Sequence, residues 1–176
     1  MSEEHDNNSE HGENKLIALR RDKLREIRSR RQAFPNHFQR LDTAADLHNE
    51  FGEKDKSELE TLARQTSVAG RIVRMRGLFV VIQDGSGQQQ LYMNNKSFTD
   101  DLADELKSLD LGDIIGAEGE VFKTGKGELT VRVSNFLLLS KSLRPLPDKY
   151  RGLTDTEMRY RQRYVDLIAR IRTTNL

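Results

Sequence analysis

The 176-residue chain has no cysteine and no tryptophan, only three prolines, and eleven aromatic residues (Phe 7, Tyr 4). Without cysteine there is no disulfide framework and no thiolate zinc site, which suits a reducing, cytoplasmic home. No stretch approaches the ~18 consecutive apolar residues of a membrane span. The opening Met-Ser-Glu-Glu-His-Asp-Asn-Asn lacks the apolar core of a secretory signal. Four scattered histidines (His5, His11, His37, His48) show no helical ligand pair, so no metal site is expected. Hydrophobic residues reach 35% against 32% charged, a polar mix in which part of the chain is expected to be solvated.

The formal net charge of +1 hides blocks of opposite sign. Residues 1–14 carry five acids and no Lys or Arg, and are expected to be a disordered acidic tail. Residues 15–40 carry nine bases against Asp22 and Glu26, a balance of +7. From an Asn14 cap, Lys15–Arg31 reads as a helix with Leu16, Ile17, Leu24 and Ile27 in one stripe. Arg20 and Arg31 fall in that stripe, so their stems are expected to lie along it with the heads in water. Solvated helices usually mix signs; this one-sided charge suits a phosphate backbone, with Arg20, Arg21, Arg25 and Arg28 as candidate contacts. Phe34-Pro35 ends the helix. Two short helices follow, capped by Thr43 and by Ser57, and complete a helical extension over residues 15–65.

Over residues 66–140 the period changes from 3.6 to 2. Strands are predicted at 68–75, 78–83, 88–93, 114–122 and 128–139, with a helix between the third and fourth, begun by Ser97 or Thr99. Three strands, a helix and two strands make an OB-fold, a mainly β class with helices packed on a five-stranded barrel. Gly85-Ser86-Gly87 and Gly125-Lys126-Gly127 lie between strands, so they are hairpin turns rather than phosphate loops. Alternation puts Leu78, Val80, Ile82, Leu91, Met93, Leu129, Val131 and Val133 inside. Phe79, Val81, Gln83, Gln88, Gln90, Tyr92, Glu128, Thr130 and Arg132 are left on a shared outer face, with Arg71 from the first strand. A ring, amides, a carboxylate and a cation suit an unstacked base. A face that packs under the N-terminal helices, with its polar groups in water, fits the same pattern.

Val68-Ala69-Gly70-Arg71, Phe79-Val80-Val81-Ile82-Gln83-Asp84 and Gln90-Leu91-Tyr92 resemble the anticodon-binding domain of class II aminoacyl-tRNA synthetases. The run Lys141-Ser142-Leu143-Arg144-Pro145-Leu146-Pro147-Asp148-Lys149-Tyr150, with Arg159-Tyr160-Arg161-Gln162-Arg163-Tyr164 beyond it, resembles the bacterial lysyl-tRNA synthetase family in particular. The resemblance implies that Phe79 stacks on the central uridine of a lysine anticodon. It also implies that Gln90 and Glu128 bond the base edge, that Arg71 helps hold the loop, and that the partner is tRNA. It places a linker at 141–153 and, at 154–176, a helix that starts a catalytic domain, and it implies a homodimer in the family.

The family's Phe-Arg-x-Glu and Gly-x-Gly-x-x-x-Arg motifs do not occur here, so no catalytic residues and no bound ATP or Mg are expected for this chain. The first hairpin turn, Arg74-Met75-Arg76-Gly77-Leu78, is a few residues shorter than in typical bacterial members. The expectation is a tRNA anticodon-binding module. A whole lysine–tRNA ligase and a general single-strand-binding OB protein are the alternatives.

Overall fold

The computed structural model describes residues 3–145, with side chains from Asn14 onward. The linker beyond Pro145 and the expected C-terminal helix lie outside the described residues. Residues Leu19–Ser142 form one compact unit.

In this unit five strands close into a barrel of order β1-β2-β3-β5-β4. They are β1 (Gln65–Arg76), β2 (Phe79–Gln83), β3 (Gln88–Tyr92), β4 (Ile114–Lys123) and β5 (Leu129–Ser140). All neighbours are antiparallel except β3 and β5, which pair in parallel over Gln90–Tyr92 and Thr130–Arg132. This is the predicted OB topology, with each strand within a few residues of its expected ends.

The period-2 pattern fills the barrel. Ile72, Leu91, Ile115, Ala117, Val121, Val131 and Leu138 are fully buried, and Val80, Ile82, Met93 and Val133 nearly so. Leu78, expected inside, is instead 40% exposed, because β2 begins only at Phe79 and Leu78 belongs to the turn. β4 crosses β5 with a register shift at Gly119. A Cβ there would stand 2.0 Å from the Arg132 carbonyl oxygen, so only glycine fits without moving β5.

Helix α1 runs from Glu3 to Arg30, beginning well before the expected Lys15. The acidic stretch continues the helix because it holds no proline, and a lone Gly12 only weakens it. Leu24 and Ile27 are buried as the stripe required, whereas Leu16 stays half-exposed.

Helix α2 (Ala44–Phe51) has the Thr43 cap, completed by Asp46 into a capping box. Helix α3 (Lys56–Leu62) is capped by Asp55 rather than Ser57: Asp55 accepts the Glu58 N–H, and Glu58 reciprocates to the Asp55 N–H. A carboxylate two residues earlier closes the box that Ser57 cannot, and Ser57 instead donates to Asp55. A 3₁₀ turn (Asn95–Ser97) precedes α4 (Asp100–Ser108), for which Thr99 occupies the cap position without a side-chain bond.

A buried ionic cluster joins α1 to the barrel. Lys141 Nζ, fully buried, donates to Asp113 Oδ2 and Asp110 Oδ2, both at 2.6 Å, and to the Ser108 carbonyl. Lys23 reaches Asp110 at 2.9 Å, and Arg20 donates to the Ser142 carbonyl at 3.0 Å. The head of Arg20 is therefore held inside, only 8% exposed, and does not reach water as the sequence reading required. A nearby carbonyl offers it a bond that offsets its desolvation. Arg31, also on the stripe, pairs with Glu105.

Candidate nucleic-acid interface

The outer face of the barrel carries a row of rings. Phe79 opens β2 directly after the Gly77-Leu78 turn, where Gly77 takes φ 58, a left-handed conformation that glycine adopts freely. Pairing of Phe79 with Tyr92 on β3 brings their rings to 5.4 Å, tilted by 51°. Tyr92 meets Phe122 edge-on at 6.2 Å, and the Arg132 guanidinium lies 4.6 Å over the Phe122 ring while bonded to Glu120. Each ring is thus braced by the next, which leaves Phe79, 36% exposed, as a fixed platform at the open end of the row.

Beside that platform lies a groove of about 780 Å³ between the β1–β2 and β4–β5 turns. Phe79, Gln90 and Glu128 all line it. Three residues far apart in sequence thus converge on one concavity, as alternation and the resemblance each implied. Arg71 does not join them; it stands farther along β1, half-buried, and donates to the Gly112 carbonyl at 2.8 Å.

Sequence reasoning did not single out the groove's cations, Arg74 and Arg76 from the shortened first turn and Lys126 from the second. Their signal was present as basic residues flanking hairpin glycines. With Glu128 the one acid in the lining, the groove is net positive and suits a phosphodiester strand.

Two outer-face residues are more enclosed than alternation predicts. Thr130 is fully buried and Val81 is 8% exposed, because alternation assigns a face and not what lies over it. Thr130 Oγ1 accepts from Gln90 Nε2 at 2.9 Å and donates to the Glu128 carbonyl at 3.0 Å, so one hydroxyl touches two groove residues. Behind them Gln89 Nε2 clips the Gln90 and Leu129 carbonyls, each at 3.0 Å, where the short parallel ladder ends. Gln89 Oε1 has no partner among the described residues.

On α1, Arg21, Arg25 and Arg28 are exposed. Arg25 pairs with Asp22, and Arg28 lies 5.8 Å over the Phe34 ring. Among the described residues no helix is long and apolar enough to cross a membrane, and no His/Cys/Asp/Glu group of three or more is placed to hold a metal ion.

Barrel order defines an OB-fold, and residues 66–139 match the tRNA anticodon family model, described as an OB-fold nucleic acid binding domain. Over a longer span the chain is similar to bacterial lysine–tRNA ligases. It is 56% identical to that of Neisseria meningitidis serogroup A over 167 residues, covering 93% of this chain and 33% of the relative. With the Chromohalobacter salexigens enzyme the identity is 58% over 165 residues, covering 91% and 33%. With that of Pseudomonas entomophila it is 54% over 156 residues, covering 89% and 31%. The chain spans about a third of the length of these curated relatives, their N-terminal third.

Proposed function

We propose that this chain is a cytoplasmic tRNA-binding module that grips the anticodon loop of a lysine tRNA through the groove beside Phe79. The convergence of Phe79, Gln90 and Glu128 on one net-positive groove carries this reading. Phe79 stacks on the central uridine. Glu128 accepts from its imino N–H, and Gln90 offers an amide to the same edge. A carboxylate accepts but cannot donate, so it suits uridine and disfavours the bare N3 of cytosine. Arg74, Arg76 and Lys126 track the neighbouring phosphates. Arg71, bonded to Gly112, keeps its remaining guanidinium N–H groups for the loop backbone. Arg21, Arg25 and Arg28 meet more distant phosphates, while Arg20 serves the fold. The ligase activity in the relatives' names is said of proteins about three times as long as this chain, and the role proposed here is recognition.

A titration of lysine anticodon stem-loops with uridine or cytosine at the central position, at fixed salt, tests this. Phe79→Ala is expected to weaken both by roughly 1–3 kcal/mol. Glu128→Ala is expected to remove most of the preference for uridine while leaving the weaker loop nearly unchanged. A wild type that binds both loops alike, or a Glu128→Ala protein that keeps the preference intact, contradicts base reading and favours a general single-strand binder.

A further inference from the structure

Resting on the reading of the groove as the seat of an unpaired pyrimidine, the structure assigns a further specificity-determining role to Thr130, a residue that does not line the groove. Its hydroxyl has a single proton, given to the Glu128 carbonyl at 3.0 Å. Toward Gln90 the same oxygen therefore acts only as an acceptor, and it takes Gln90 Nε2 at 2.9 Å. This holds the carboxamide of Gln90 in one of its two flip states. Gln90 makes no other side-chain hydrogen bond among the described residues, so Oε1 and the second Nε2–H remain for a ligand. Full burial of Thr130 keeps water from competing for the bond, and the Gln89 clip keeps β3 and β5 in register at this pair.

The flip state matters because uridine and cytosine present opposite sequences on the same edge. Uridine has an acceptor at position 4 and a donor at position 3; cytosine has a donor at 4 and an acceptor at 3. With the ring seated on Phe79, an amide held one way matches one base and opposes the other, whereas a free amide turns to suit either. We propose that Thr130 is the positioning residue that turns the Gln90 amide into a discriminating group rather than a permissive one.

The test compares wild type, Thr130→Val and Thr130→Ser in the full 176-residue chain, titrated with the uridine and cytosine stem-loops. A bidentate base contact discriminates by roughly tenfold or more. Thr130→Val is expected to cut the wild-type preference at least about threefold, mainly by tighter binding of the cytosine loop, with the rest carried by Glu128, while Thr130→Ser restores it. A preference unchanged in Thr130→Val, or lowered as far in Thr130→Ser, overturns the role of Thr130 alone. Equal wild-type affinity for both loops overturns the groove reading and this inference with it. Should Thr130→Val not fold, side-chain amide exchange in the free wild-type protein decides the matter. One Gln90 Nε2 proton is expected to exchange at least tenfold more slowly than a free glutamine amide, and free-amide exchange of both protons overturns the proposal.

Discussion

Asp84 shows how much one carboxylate can organise. Oδ2 accepts the Ala44 N–H at the start of α2, while Oδ1 accepts the Ser86 and Gly87 N–H groups in the β2–β3 turn. Burial pushes its pKa up, but these N–H donors and the Ser86 hydroxyl outweigh burial and hold it below the ordinary aspartate value. A depressed pKa gives stability that is present above the unfolded value and lost as pH falls through the folded one. Asp84→Ala is expected to cost about 1–2 kcal/mol at neutral pH. Its urea midpoint should converge with wild type as pH falls from about 4 downward. A gap that stays constant with pH contradicts the charged role. Asp84 was legible only as part of a turn cluster, because its second partner, Ala44, is forty positions away. Thr130 was misplaced for a related reason: period 2 says which face a residue takes, and nothing about what lies over it.

Among elements, the strands were read well because each buries one face, and a one-residue slip exposes the whole set. The helices were read less well. α1 starts earlier than expected, since an acidic segment without a breaker satisfies its backbone by continuing the helix. The Lys141–Asp113–Asp110 cluster was invisible, as a buried ion pair leaves no periodic mark in sequence. Its removal has a definite consequence. Lys141→Met leaves the fully buried Asp113 carboxylate without a counterion, held only by the Asp110 and Ser142 N–H groups, and is expected to destabilise by roughly 3–5 kcal/mol in urea unfolding. A loss under about 1 kcal/mol contradicts the assignment of Lys141 as the cluster's centre. Gly119→Ala forces a Cβ against the Arg132 carbonyl and is expected to cost about 1–3 kcal/mol by the same assay. For α1, replacing Arg21, Arg25 and Arg28 by Gln is expected to lower the slope of log K against log salt by roughly 0.7–0.9 per lost phosphate contact. An unchanged slope makes this helix a solvated face.

For the molecule as a whole, a net charge of +1 says little, because the charges are distributed by task. Some hold the fold together: Arg20, Lys23, Arg31 and Lys141 each bond a carbonyl or carboxylate. Others are presented outward, with Arg74, Arg76 and Lys126 around the groove. Sequence arithmetic could count these groups but could not sort them, since burial decides which cation is available to a phosphate. The proposed seat of a base on Phe79, between Gln90 and Glu128, depends on both sets of charges. The most direct test carries a photoreactive 4-thiouridine at the central anticodon position of a lysine stem-loop, crosslinked to the chain and located by peptide mass mapping. Crosslinks are expected in the peptides that hold Phe79 and Gln90, and to fall sharply in Phe79→Ala. Crosslinks confined to α1 or to the side of the barrel away from the groove would contradict it.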